Sequence, residues 1–259
     1  MKINRISLVF LFFSLVGSLY GTLAVVMNVQ IGFPLTPLIT LSSFFFAILH
    51  ASQREGWVKA ILLVTIVFMV GLAFESVGVA TGLVYGPYHY SDQLGPKFLG
   101  LVPYLIPMAW TYMMYPSMVI AERIIPTSLS RLQKIFLIAA VSGVIMTAWD
   151  VVMDPMMVSG GFWTWEVRGE YFGVPLQNFF GWWLTTFSAV LLYGFATSKL
   201  PVNIPVISDR FAVYSYTITA FTSICVAWIV GLGGPALAGI FAIFPWVFLG
   251  IIHTATEKK

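Results

Sequence analysis

Apolar runs of about 20 residues, the length needed to cross a roughly 30 Å hydrocarbon core, recur along the whole of this chain. They fall at about 6–27, 37–52, 57–80, 98–121, 133–153, 178–198, 211–230 and 235–253. Inside a bilayer each backbone N–H and C=O must be satisfied within the protein, so runs of this kind span as helices. The expected fold is an all-α integral membrane bundle of eight helices, a single polytopic domain over residues 1–259. Composition agrees, with 9% charged residues against roughly 25% in soluble domains. No stretch is left for a soluble domain, and no nucleic-acid signal is present. Cys225 is the one cysteine, which excludes disulfides and cysteine metal clusters within a monomer.

The first run is too long for the apolar core of a signal peptide and is expected to be a retained helix. The fourth contains Pro103, Pro107 and Pro116, which predict a bent helix whose freed carbonyls are satisfied by neighbours. Pro155 is expected to end the fifth helix.

Basic residues set the orientation, because cytoplasmic loops carry the Lys and Arg excess. With both termini in the cytoplasm, eleven of the thirteen Lys and Arg residues fall inside, Lys2, Lys258 and Lys259 among them, leaving Lys97 and Arg168 outside. The net charge of +3 is thereby read as topology, and the location as the cell membrane, multi-pass. Two outer segments are long, 81–97 and 154–177, and both are rich in Gly, Pro, Tyr and Trp. Such loops act as lids or binding loops, or as an aromatic belt at the interface.

Carboxyl groups inside membrane helices are costly and mark functional sites. Asp150 and Asp154 sit one turn apart on one helix face near the outer end of the fifth helix. Glu75 lies near the outer end of the third, so all three reach the same leaflet. Glu122, beside Arg123 at an inner end, reads as a solvated ion pair, and His50 and His253 as inner edge residues. Phe44–Phe46 read as lipid or core contacts. His89, between Tyr88 and Tyr90, and Glu166 stand on the same side as the acids. Paired buried carboxyls share a proton and supply a general acid. Aromatic faces at Trp149, Trp163, Trp165, Tyr85 and Tyr88, with Tyr171, Asn178 and Trp110 as further binding residues, would stabilise a cation by roughly 2 kcal/mol each when desolvated. Protonation of an alkene and capture of the cation by water follows from this set, with no cofactor or metal required. Two other readings stay open. D-x-x-x-D on a membrane helix also fits a prenyltransferase holding magnesium and a diphosphate, although the outer face offers only Lys97 and Arg168 to the phosphates. Paired acids also fit a proton-coupled lipid transporter.

Several motifs occur in order: E-x-x-G-x-x-T-G at Glu75–Gly82, Y-G-P-Y-H-Y-S-D at Tyr85–Asp92, L-G-P at Leu94–Pro96, and P-x-x-x-P-x-x-W at Pro103–Trp110. W-D-x-x-x-D-P at Trp149–Pro155, W-x-W at Trp163–Trp165 and Y-F-G-V-P-x-x-N-F-x-G-W at Tyr171–Trp182 follow. Together they resemble the membrane carotenoid hydratase family, which includes γ-carotene and bisanhydrobacterioruberin hydratases. The resemblance implies addition of water to the terminal isopropylidene double bond of an acyclic carotenoid end, giving a tertiary alcohol. It also implies a carotenoid substrate drawn from the lipid bilayer, water as co-substrate, and other carotenoid-pathway enzymes as partners. The expected roles are Asp150 or Asp154 as proton donor, tuned by the other and by Glu75, and His89 or Glu166 handling the water.

Overall fold

The computed structural model describes residues 5–32 and 34–255; Lys2, Lys258 and Lys259 lie outside them. Eight α-helices are present among the described residues: α1 (Ile6–Val26), α2 (Leu35–Glu55), α3 (Trp57–Thr81), α4 (Leu105–Ile124), α5 (Arg131–Ser159), α6 (Leu176–Thr197), α7 (Arg210–Ile229) and α8 (Gly233–Ala255). Four short strands lie between them: β1 (Tyr88–Tyr90), β2 (Lys97–Phe98), β3 (Val102–Pro103) and β4 (Trp163–Trp165). Seven of the helices are long and apolar enough to cross a membrane, which makes this a multi-pass membrane protein.

The remaining helix, α4, is the centre of the bundle. It packs against α2, α3, α5, α7 and α8, and every residue from Trp110 to Ala121 is buried. A helix with protein on all sides has no lipid-facing stripe to keep apolar. It therefore carries Thr111, Tyr112, Tyr115 and Ser117 where a peripheral helix carries aliphatic residues.

Two helix boundaries differ from the sequence expectation, each for a local reason. The fourth helix starts at Leu105 because residues 97–103 form a hairpin, in which Lys97 pairs with Pro103 and Phe98 with Val102. Leu99 and Gly100, both with positive φ, turn it; Pro103 thus belongs to a strand. The fifth helix does not stop at Pro155 but runs on to Ser159, so the second long loop begins at Gly160. A proline strands the carbonyl four residues back, here that of Val151. The Tyr171 hydroxyl donates to that oxygen at 3.0 Å, which removes the penalty. At its other end α5 begins at Arg131, where Ser130 and Gln133 form a reciprocal capping box.

Helix alternation gathers the C-terminal ends of α1, α3, α5 and α7, and both long loops, at one end of the bundle. At the opposite end an ion network ties the helices together. Arg54 bonds Asp209 at 2.7 Å, Glu122 at 2.7 Å and Glu55 at 2.6 Å, and Arg123 reaches Asp209 at 2.5 Å. Glu122 thus pairs across helices with Arg54, whose buried guanidinium needs opposite charge. His50 is not an edge residue either. It is fully buried, with Nδ1 at 2.6 Å from the Tyr115 hydroxyl and Nε2 at 3.1 Å from the Ser208 carbonyl. His253, by contrast, is half-buried near the end of α8, its Nδ1 2.8 Å from the Leu249 carbonyl one turn back. Of the three phenylalanines, Phe46 is core and Phe45 is exposed on the outer face.

Burial alone would raise the Asp209 carboxyl, but the charges of Arg54 and Arg123 outweigh it and hold it below the usual carboxylate range. A depressed folded-state value contributes stability above the unfolded value of about 3.9 and loses it as pH falls through the folded one. Asp209→Asn is expected to cost about 3–5 kcal/mol, since it leaves two guanidiniums short of a partner. Thermal unfolding in detergent checks this, and the difference from the wild type should persist from pH 8 to about pH 4 and shrink only below it.

Candidate active site

The two long loops meet as an antiparallel ribbon of β1 and β4, in register Tyr88 with Trp165, His89 with Thr164 and Tyr90 with Trp163. Strand alternation buries Tyr88, Tyr90, Trp163 and Trp165 and turns His89 and Thr164 outward. The inward rings meet across the ribbon, Tyr88 tilted against Trp165 with centroids 5.0 Å apart and Tyr90 edge-on to Trp163 at 5.8 Å. Below the ribbon, Tyr85 inserts between α3 and α6. A Cβ at Gly78 would lie 2.6 Å from its ring, and one at Gly181 would lie 2.5 Å from it, so both glycines are space for Tyr85. Its hydroxyl is 2.8 Å from Thr185 Oγ1.

Each acid meets its own set of donors. Glu75 Oε2 accepts from the Tyr88 hydroxyl and from the Tyr90 hydroxyl at 2.8 Å, and Oε1 accepts from Trp110 Nε1 at 2.9 Å. Asp154 Oδ1 accepts two indole N–H groups, Trp163 at 3.0 Å and Trp165 at 3.2 Å. The Asn178 amide divides its two hydrogens, donating to Asp150 Oδ2 at 2.8 Å and Asp154 Oδ2 at 2.9 Å. Asp150 Oδ1, fully buried, has no hydrogen-bond partner among the described residues. Burial, followed by the Glu75 charge, pushes the Tyr88 and Tyr90 phenols well above their ordinary value. Both remain O–H donors throughout the working range of pH.

A cavity of about 900 Å³ opens onto this cluster, at the upper end of the roughly 300–1,000 Å³ usual for ligand sites. Glu75 and Asp154 both line it. Trp110 stacks on Trp182 at 4.2 Å, and Trp149 stands edge-on to Trp182 at 5.9 Å, so three indoles form one aromatic wall. Asp150 does not line the cavity; it sits behind, linked to Asp154 through Asn178. His89 and Glu166 are near each other, 3.8 Å apart, but 61% and 59% exposed and outside the cavity. Tyr171 serves the Val151 carbonyl instead of the cavity wall. Trp163 and Trp165 line the cavity but also supply N–H groups to Asp154. Tyr90 and Trp182 were missed as site residues. The two-residue period from Tyr88 and the four-residue step from Asn178 were the signals for them.

The arrangement suits proton chemistry better than cation binding. A magnesium site offers open carboxylate and water oxygens, whereas here N–H and O–H donors already point at both acids on the cavity wall. Lys97, one of the two outer cations, is bonded to Asp92 at 2.8 Å and to the Tyr90 carbonyl at 2.8 Å; it secures the loop.

Comparison with known proteins places these features in context. The family model described as carotenoid biosynthesis protein matches residues 14–245. The bisanhydrobacterioruberin hydratase of Haloarcula japonica is 33% identical over 125 residues, covering 48% of this chain and 41% of that protein. The match thus spans about two-fifths of the relative's length. No solved structure matches.

Gly181→Ala is expected to displace Tyr85 and destabilise the protein by about 1–3 kcal/mol. Gly233→Ala, with nothing within 4 Å of the added methyl, should stay within about 0.5 kcal/mol of the wild type. Thermal unfolding of the two variants side by side checks the difference.

Proposed function

The chain belongs to the carotenoid biosynthesis protein family, and from that premise we propose that it is a carotenoid hydratase, adding water to the terminal C=C of an acyclic carotenoid end to give a tertiary alcohol. The observation that carries the reading is a membrane-embedded cavity with two buried carboxyl groups, Glu75 and Asp154, set among indole and phenol rings. The hydratase activity printed for the haloarchaeal relative supports the same chemistry.

In this mechanism Asp154, on the cavity wall, gives its proton to the less substituted alkene carbon. The π pair forms the new C–H bond, and a tertiary cation remains on the neighbouring carbon. The faces of Trp149, Trp110 and Trp182 stabilise that cation by roughly 2 kcal/mol or more each in a desolvated site. Water oxygen then bonds to the cation. Its surplus proton passes to a carboxylate, Glu75 or Asp154, and the sum is alkene plus water. Glu75, like Asp154, accepts three hydrogen bonds and donates none, so either carboxylate can take that proton, and one taken by Glu75 returns to Asp154 before the next turnover. Asp150 is a positioning residue that acts through Asn178, and no step needs a cofactor. His89 and Glu166, exposed on the outer face of the ribbon, are given no part in the chemistry. The carotenoid would enter from the bilayer, with both termini in the cytoplasm and the acids in the outer half of the cell membrane.

Membranes containing the protein, incubated with acyclic carotenes in oxygen-18 water, should yield product that gains one labelled water by mass spectrometry. Asp154→Asn and Glu75→Gln are each expected to lower kcat by about 10²–10⁴-fold. Asp150→Asn should keep the carotene KM while shifting the pH profile of kcat. Chain elongation with an isoprenoid diphosphate and magnesium, without hydration, would replace this reading by a prenyltransferase.

A further inference from the structure

A second wall of the same cavity is made of hydroxyls. Ser18 and Thr22 on α1, Thr40 on α2, and Thr219, Thr222 and Ser223 on α7 all line it, and α1 packs on both α2 and α7. Three of these hydroxyls donate to the carbonyl one turn back, Thr22 to Ser18 at 2.9 Å, Thr222 to Ile218 at 2.5 Å and Ser223 to Thr219 at 3.0 Å. Their hydrogens are spent, so toward the cavity they act as acceptors. Ser223 also accepts the Trp149 indole N–H at 3.0 Å, which joins this wall to the aromatic one.

Ser18 and Thr40 differ from those three. Each is only 6% exposed, yet neither hydroxyl has a hydrogen-bond partner among the described residues. One turn deeper in the same α1–α2 seam, Ser14 and Ser43 bond each other at 2.7 Å. The seam pairs its hydroxyls where the helices touch and leaves them open where the cavity begins. These hydroxyls open onto the cavity; a hydroxyl facing an apolar chamber without a partner is costly, and a hydrocarbon chain in the cavity cannot supply one. A small O–H ligand can, because it both donates and accepts.

We propose that the Ser18, Thr40 and Thr22 side of this wall binds the water molecule that the hydration consumes. The inference rests on the hydratase reading and adds to it the site of the second substrate. Ser18 and Thr40 give a water the two or more polar partners that a buried water requires. Thr22, with its hydrogen committed to the backbone, accepts from that water. A water whose hydrogens are held by acceptors presents a lone pair outward, as attack on a cation demands. Water is thereby stored at a fixed place in an otherwise apolar chamber, and capture does not wait for its entry from bulk.

The test compares the double variant Ser18→Ala/Thr40→Val with the conservative pair Ser18→Thr/Thr40→Ser. With a hydrocarbon carotene that carries no hydroxyl, the first pair should lower kcat by about tenfold with an unchanged carotene KM, and the second should restore the rate. An unchanged kcat in the first pair overturns the proposal. So does an effect confined to the KM of a hydroxyl-bearing carotene, which would assign the wall to a substrate hydroxyl. A readout independent of activity is X-ray radiolytic footprinting of substrate-free membranes, in which radicals formed from a trapped water oxidise the cavity-lining Trp149 and Met157. Their labelling should fall in the first pair; equal labelling overturns the water site. Failure of the wild type to hydrate any carotene would strike the hydratase reading, and the footprinting would still decide whether the wall holds water.

Discussion

A carboxyl group can be buried in a membrane bundle only where hydrogen-bond donors meet it, and much of this molecule is arranged to bring donors to three of them. Glu75, Asp150 and Asp154 are all within a few per cent of full burial. Two donors come from helices, Trp110 on α4 and Asn178 on α6. The other four, Tyr88, Tyr90, Trp163 and Trp165, come from the ribbon. The ribbon is therefore more than a cap on the bundle. Without it Glu75 would keep one donor of three, and each lost hydrogen bond would cost about 1–3 kcal/mol.

The opposite end of the bundle meets the same problem with ions. Arg54, Arg123 and Lys59 neutralise Asp209, Glu122 and Glu55, and that network links α2, α3, α4 and the start of α7. The contrast between the ends has a chemical consequence. A guanidinium locks a carboxylate in its charged form, which suits a fastening. Neutral N–H and O–H donors tolerate a carboxyl in either state, which suits a group that gives up a proton and takes one back.

The central helix shows how the tertiary setting changes what a segment must be. Alone among the eight helices, α4 falls short of a membrane-crossing composition, because it meets protein instead of lipid. The prolines show the same dependence. Pro155 would end an isolated helix, yet α5 continues because Tyr171, sixteen residues further on, bonds the stranded carbonyl.

The number of helices and the membrane character of seven of them were legible in the residues alone. Apolar length and the cost of burying charge are properties of a segment and its solvent. The motifs carrying the family resemblance were equally local. The pairing of donors with acids was not, since Trp110 and Glu75 are 35 residues apart in the chain and Asn178 and Asp150 are 28 apart. No periodicity links positions so distant. His89 and Glu166 read as site residues because their loops lie on the side of the acids, but sidedness does not say which way a side chain points. Only the pairing of β1 with β4 turned Tyr88 and Tyr90 inward and His89 outward. The hydroxyl wall was likewise hidden, because a serine or threonine in a membrane helix ordinarily satisfies itself on the preceding turn. That Ser18 and Thr40 do not, and that both face the cavity, was decided by how α1 lies against α2.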